Sequence, residues 1–105
     1  MHYNKLIRDR VPELLARQGR TTRTRQLAPD EFLAALREKL LEEAAECAAA
    51  ATPENIAEEC ADLLEVIAAL AAASGIPWDH VATVREQKAR ERGTFLDRLL
   101  LTEAD

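Results

Sequence analysis

Apolar side chains recur along this chain at helical spacing, every third or fourth residue, and four helices follow from that pattern. Residues 1–7 read as extended. Arg10–Gln18 carries Val11, Leu14 and Leu15 on one side, with Pro12 tolerated in the first turn and Gly19 as a stop. Arg20–Gln26 is a basic, Thr-rich connector, a loop or a short strand. The second helix runs over Asp30–Ala51, with Phe32, Leu33, Leu36, Leu40 and Ala44 as its stripe. Thr52-Pro53 breaks and restarts the chain, Thr52 as N-cap and Pro53 in the first helical position. The third helix continues to about Ala73, with Ile56, Leu63, Val66, Ile67 and Leu70 on one face, and Ser74-Gly75 ends it. Pro77 opens a fourth helix through Val81 and Val84 to about Arg92, before Gly93. Thr94–Leu101 is a short extended or irregular tail. Helices two and three are long and joined by a tight turn, so they pack antiparallel.

Composition agrees. The 105 residues make one domain, 1–105, whose apolar content is 48% with only 4% aromatic, mostly Ala and Leu, and 3 Gly and 4 Pro. The expected fold is therefore all-α: an antiparallel helical hairpin with short flanking helices, completed into a four-helix-type bundle by oligomerisation, as a homodimer or homotetramer. No apolar run approaches membrane-spanning length; Ile67–Ala73 is too short. Met1–Arg10 is too polar for a secretion signal, so a cytoplasmic location and no membrane partner are expected. Cys47 and Cys60 lie in Ala-rich helical stretches and read as buried small apolar residues in a reducing compartment.

The net charge of −5 is uneven. Residues 1–25 hold seven Lys/Arg against two acids, whereas the remainder holds seven against seventeen. A basic leading segment on an acidic body suits phosphate near the one and cations near the other, although ordinary solvated and internally paired charge explains the same asymmetry. Arg20, Arg23 and Arg25 come with no nucleic-acid-binding motif, and the acidic body repels a duplex, so no nucleic acid polymer is expected as a partner.

The carboxylates carry the chemistry. With Leu33 at 0° on a helical wheel, Leu36, Leu40 and Cys47 fall at about 300°, 340° and 320°, Glu43 at about 280° and Glu46 at about 220°. With Ile56 at 0°, Leu63, Val66 and Leu70 fall at about 340°, 280° and 320°, Glu59 at about 300° and Asp62 at about 240°. Each helix thus offers an i, i+3 carboxylate pair bordering its buried face, and both pairs lie at similar distances from the turn at Thr52. Four half-buried carboxylates repel one another and lose hydration. A hard divalent cation removes that conflict, and oxygen-only ligands favour Mg²⁺ or Mn²⁺ over Zn²⁺. The competing reading pairs these acids with Lys39, Arg37 or a neighbouring subunit.

Glu42-Glu43-Ala44-Ala45-Glu46, followed by Glu59-Cys60-Ala61-Asp62, resembles the EExxE…ExxD signature of the all-α NTP pyrophosphohydrolases, the MazG and phosphoribosyl-ATP pyrophosphohydrolase superfamily. Asn4–Glu13 is similar to the "KLVRDKIPE" start of a small single-domain MazG-like group, and Lys88–Phe95 to its "KxxxRGxF" ending. The resemblance implies cleavage of a (d)NTP or related nucleotide substrate between its α and β phosphates, releasing a monophosphate and pyrophosphate. It places Glu43, Glu46, Glu59 and Asp62 as ligands of Mg²⁺, with Mn²⁺ as substitute, and Glu42 as the first acid of the signature, binding a second metal or orienting the attacking water.

Lys5, Arg8, Lys88 and Arg92 are the candidates for holding phosphates; solvated or paired cations, and for the last two a cationic final helical turn, are the rival readings. Trp78 reads as a packing anchor ahead of a base-stacking residue, and Phe95 as a core or interface plug. His2 and His80 have no assigned role. Two further functions compete: the phosphoribosyl-ATP pyrophosphohydrolase step of histidine biosynthesis, and a non-catalytic helical binding or scaffold dimer.

Overall fold

The computed structural model describes residues 4–105, and among them the chain is all-helical, without strands. Four helices follow in order: α1 (Val11–Arg17), α2 (Pro29–Ala49), α3 (Pro53–Ala73) and α4 (Trp78–Arg92). Each lies within two residues of the boundaries its apolar spacing predicts. His2, and the first three residues of the segment expected to be extended, fall outside the described residues. The connector 20–26 is a loop.

Local chemistry explains the boundaries. Thr52 is extended and its Oγ1 accepts the Asn55 N–H at 3.2 Å, filling one of the orphan donors of the first turn of α3. Pro53 takes the first helical position, where its missing N–H costs nothing. At the other end Gly75 turns left-handed at φ 75°. The Ile76 N–H then reaches the Ala71 carbonyl at 2.8 Å and the Gly75 N–H reaches Ala72 at 3.0 Å, so two of the last carbonyls of α3 are satisfied. A side chain at residue 75 would be strained by that φ alone. Helix α2 starts at Pro29, and the Glu31 carboxylate accepts the Ala28 N–H at 3.1 Å.

Only three residues, Ala50–Thr52, separate α2 from α3, and the two helices pack antiparallel as the main tertiary contact. Leu36 on α2 and Val66 and Ala71 on α3 are the buried apolar residues. Helix α4 touches α3 alone and turns 114° away from its axis. Helix α1 packs against no other helix. The radius of gyration is 17.9 Å, against ~13 Å for a compact chain of this length. The chain does not close a core on itself.

Several expectations are corrected by this openness. Ala44 and Ile56, assigned to buried stripes, are exposed. Phe95 is 97% exposed and is no core plug. Cys47 is half-buried and Cys60 exposed, so neither is an inert core thiol. Trp78 remains 47% exposed at the start of α4. No single helix is long and apolar enough to cross a membrane.

Candidate metal centre

The hairpin brings three of the signature acids to one spot. One carboxylate oxygen from each of Glu43, Glu46 and Glu59 lies within 4.8 Å of the others. Two come from α2, one turn apart, and the third comes from α3 across the interface. Glu43 is only 8% exposed, Glu59 is half-buried and Glu46 faces solvent. The wheel positions explain this order: Glu43 and Glu59 border the apolar stripes that meet between the helices, whereas Glu46 sits farther round α2.

Burial makes the cluster electrostatically uncomfortable. Glu43 Oε1 meets Lys39 Nζ at 3.4 Å, a turn back on the same helix. Glu43 Oε2 and Glu59 Oε2 are buried and, among the described residues, have no hydrogen-bond partner. Buried polar atoms are nearly always paired, and leaving a charged one unpaired costs at least ~1–3 kcal/mol. The Lys39 pair answers one oxygen of the four on these two residues, so the competing salt-bridge reading explains only part of the cluster. An all-oxygen donor set with two unsatisfied oxygens fits a hard divalent cation.

Asp62 and Glu42 stand differently. Arg8 Nη2 donates to Asp62 Oδ1 at 2.8 Å, and Lys5 Nζ donates to Glu42 Oε1 at 3.3 Å. Residues 5 and 8 therefore bridge from α2 to α3. Three residues of extended chain span about 10 Å, which matches the ~8–10 Å between packed helix axes. The basic leading segment is a strap across the acidic end of the hairpin. Asp62 is accordingly outside the three-acid group, its oxygen held by a guanidinium.

Lys88 and Arg92 lie exposed on α4. Among the described residues neither forms an ion pair or side-chain hydrogen bond with the acids, because α4 leaves the hairpin at a steep angle. His80 is exposed and, among the described residues, forms no ion pair.

A feature that composition did not reveal is a contact between the two cysteines. Cys47 Sγ and Cys60 Sγ are 3.7 Å apart, either able to donate. The hydrogen bond with Cys60 pushes the Cys47 thiol above its ordinary pKa, with desolvation, the Cys60 charge and the Glu59 charge acting in the same direction. Their offsets from the Thr52 turn, five residues before and eight after, were the available signal.

Fold and site together define an all-α protein built on a carboxylate-bearing helical hairpin. Its sequence belongs to the phosphoribosyl-ATP pyrophosphohydrolase family, whose profile matches residues 3–89. An uncharacterized protein of Mycolicibacterium smegmatis is 54% identical over 48 residues, 46% of this chain and 49% of that protein. The match thus spans about half the length of that relative. No solved structure matches the chain significantly.

Proposed function

We propose that this chain is a Mg²⁺-dependent nucleotide pyrophosphohydrolase that removes unwanted (d)NTPs or related nucleotides. It splits the bond between the α and β phosphates, and the products are a nucleoside monophosphate and pyrophosphate. One observation carries the reading: two buried, unpartnered carboxylate oxygens, Glu43 Oε2 and Glu59 Oε2, in a three-acid cluster across the hairpin. Membership of the phosphoribosyl-ATP pyrophosphohydrolase family supports the reaction class.

Glu43, Glu46 and Glu59 would hold the cation. When bound, Mg²⁺, or Mn²⁺ in its place, supplies charge neutralisation at phosphate oxygens and a more acidic water. The chain's own groups do the rest. A triphosphate entering beside the strap exchanges with Asp62 for the Arg8 guanidinium and with Glu42 for the Lys5 ammonium. Charge-assisted bonds from Arg and Lys to phosphate take the place of those to the two carboxylates. Asp62, so released, would be available as a fourth oxygen ligand beside Glu43, Glu46 and Glu59. Glu42, so released, has a free carboxylate with which to orient the attacking water, and a carboxylate oxygen not engaged elsewhere accepts its proton.

Lys88 and Arg92 complete the set across a subunit interface. A homodimer or homotetramer would cover the open hairpin faces, where Leu41 is 73% and Leu64 54% exposed, and would bring α4 of one copy toward the acids of another. A cytoplasmic setting, with its millimolar nucleotide pools, goes with this reading.

The family's description makes phosphoribosyl-ATP the second candidate substrate. Both substrates present the same α–β anhydride, so the cleavage chemistry is common and only base and sugar recognition separates them. The test is pyrophosphate release from a panel of NTPs, dNTPs, modified nucleotides and phosphoribosyl-ATP, with Mg²⁺ or Mn²⁺ and with a chelator. The expected outcome is metal-dependent release from at least one nucleoside triphosphate. Release from phosphoribosyl-ATP alone would move the assignment to histidine biosynthesis. No release from any member would sink the enzyme reading and favour a scaffold dimer.

A further inference from the structure

We propose that Cys47 and Cys60 are an oxidant-reactive pair that closes into a disulfide, crosslinking α2 to α3 beside the acidic cluster. The chain has 2 cysteines, and they lie on opposite helices of the hairpin with their sulfurs in van der Waals contact at 3.7 Å. A disulfide bond needs ~2.05 Å between sulfurs, so a side-chain rotation and a small approach of two Ala-rich helices suffice.

Exposure divides the labour. Cys60 is exposed and Cys47 half-buried, so a hydroperoxide meets Cys60 first. The Cys60 sulfur bonds to one peroxide oxygen as the O–O bond breaks, and the other oxygen leaves as alcohol or water with a proton. The Cys47 sulfur then attacks the Cys60 sulfenic acid. The S–S bond forms, the S–O bond breaks, and the oxygen leaves as water. Two thiols and one hydroperoxide thus give one disulfide, one alcohol (or water) and one water, with two electrons passing from sulfur to the peroxide.

Each sulfur sits one residue from a clustered acid, Cys47 after Glu46 and Cys60 after Glu59. The crosslink therefore fixes the relative height of two of the three carboxylates and closes a short loop through the Ala50–Thr52 turn. A link of that kind restricts the unfolded chain and resists separation of the two helices.

The experiment uses the full reduced protein in chelator, treated with hydrogen peroxide and analysed by thiol titration and non-reducing peptide mapping. The expected result is loss of both thiols, a Cys47–Cys60 crosslink within one chain, and a thermal midpoint raised on the order of 10 °C, all reversed by dithiothreitol. Cys47→Ser should stop at a dimedone-reactive Cys60 sulfenic acid. Thiols that stay free, oxidation to sulfinic acids, or disulfides solely between chains would overturn the proposal. Mapping reads the crosslink whether or not the acids bind a cation or the chain turns over nucleotide, so failure of the proposed activity is told apart from failure of this pair.

Discussion

The hairpin and the C-terminal third of the chain are built to opposite standards. Among the described residues every buried one lies on α2 or α3: Leu36 at 2% exposure, Val66, Ala71 and Glu43. Helix α4 buries nothing completely, and after it Phe95, Leu96, Leu99, Leu100 and Leu101 stand 80–97% exposed. Burying one Leu or Phe contributes about 1.5–3 kcal/mol, so five naked ones forgo as much as a small domain's whole stability of roughly 5–15 kcal/mol. The contrast teaches where each job is done. The acidic centre is assembled by a local turn and the two helices it joins. The apolar tail finds no cover within its own chain, which is the reason to place a second copy over it.

The sharpest way to break this contrast is at the tail. Replacing Leu99 and Leu100 together by Asp should dissociate the proposed assembly, at a cost of about 3–6 kcal/mol. Light scattering should then report single-chain mass where the unaltered protein gives a multiple. If the unaltered protein is itself a single chain in solution, the assembly idea is wrong. Inside the hairpin, Leu36→Ala should cost about 3–4 kcal/mol, read from denaturant midpoints. A loss below ~1 kcal/mol would mean that the hairpin is not the stabilising core.

Glu59→Gln addresses the site directly. It should lower metal-dependent turnover by at least ~100-fold, measured as pyrophosphate release. Without metal, the same substitution should leave the protein at least as stable, because it removes one of three mutually repelling carboxylates. A turnover unchanged by this substitution would favour the scaffold reading. Thr52→Ala removes the cap of α3 and should cost about 1 kcal/mol, a thermal shift of a few degrees with the site geometry intact.

The smallest effect lies at the start of α2. The Arg25 guanidinium, hydrogen-bonded to Glu31, holds that carboxyl below its ordinary pKa, aided by the Ala28 N–H. A lowered folded-state pKa contributes stability above the unfolded value, and that contribution is lost as pH falls through the folded value. Thermal midpoints should therefore decline slightly more steeply below about pH 4.5 than in Glu31→Gln. Parallel pH curves would remove this pair from the account.

How much of this was legible in the chain depends on the range of the interaction. Helix boundaries were readable because Thr52, Pro53 and Gly75 act on their own backbone neighbours. The opposed acids were readable too, since a three-residue turn forces α2 and α3 together and the wheel puts Glu43 and Glu59 on the shared face. The sequence assigns Asp62 to the cation and Glu42 to a second metal or the attacking water, with pairing of Lys5 and Arg8 to acids as the rival; the structure pairs Asp62 with Arg8 and Glu42 with Lys5, fifty-four and thirty-seven residues away in sequence. Such a pairing depends on the path of the leading segment, which no local pattern encodes. Lys88 and Arg92, expected at the phosphates by resemblance, sit on a helix that departs at 114° after a break of a few residues.

By itself, then, the sequence determined what short-range physics controls: four helices, their caps, the hairpin and the acids that border its seam. Tertiary structure alone decided which carboxylate oxygens are left without partners, which are answered by the basic strap, that two thiols touch, and that the C-terminal leucines find no cover. Those outcomes depend on ångström-scale distances between residues far apart in the chain, and periodicity carries direction around a helix but no distance across a fold.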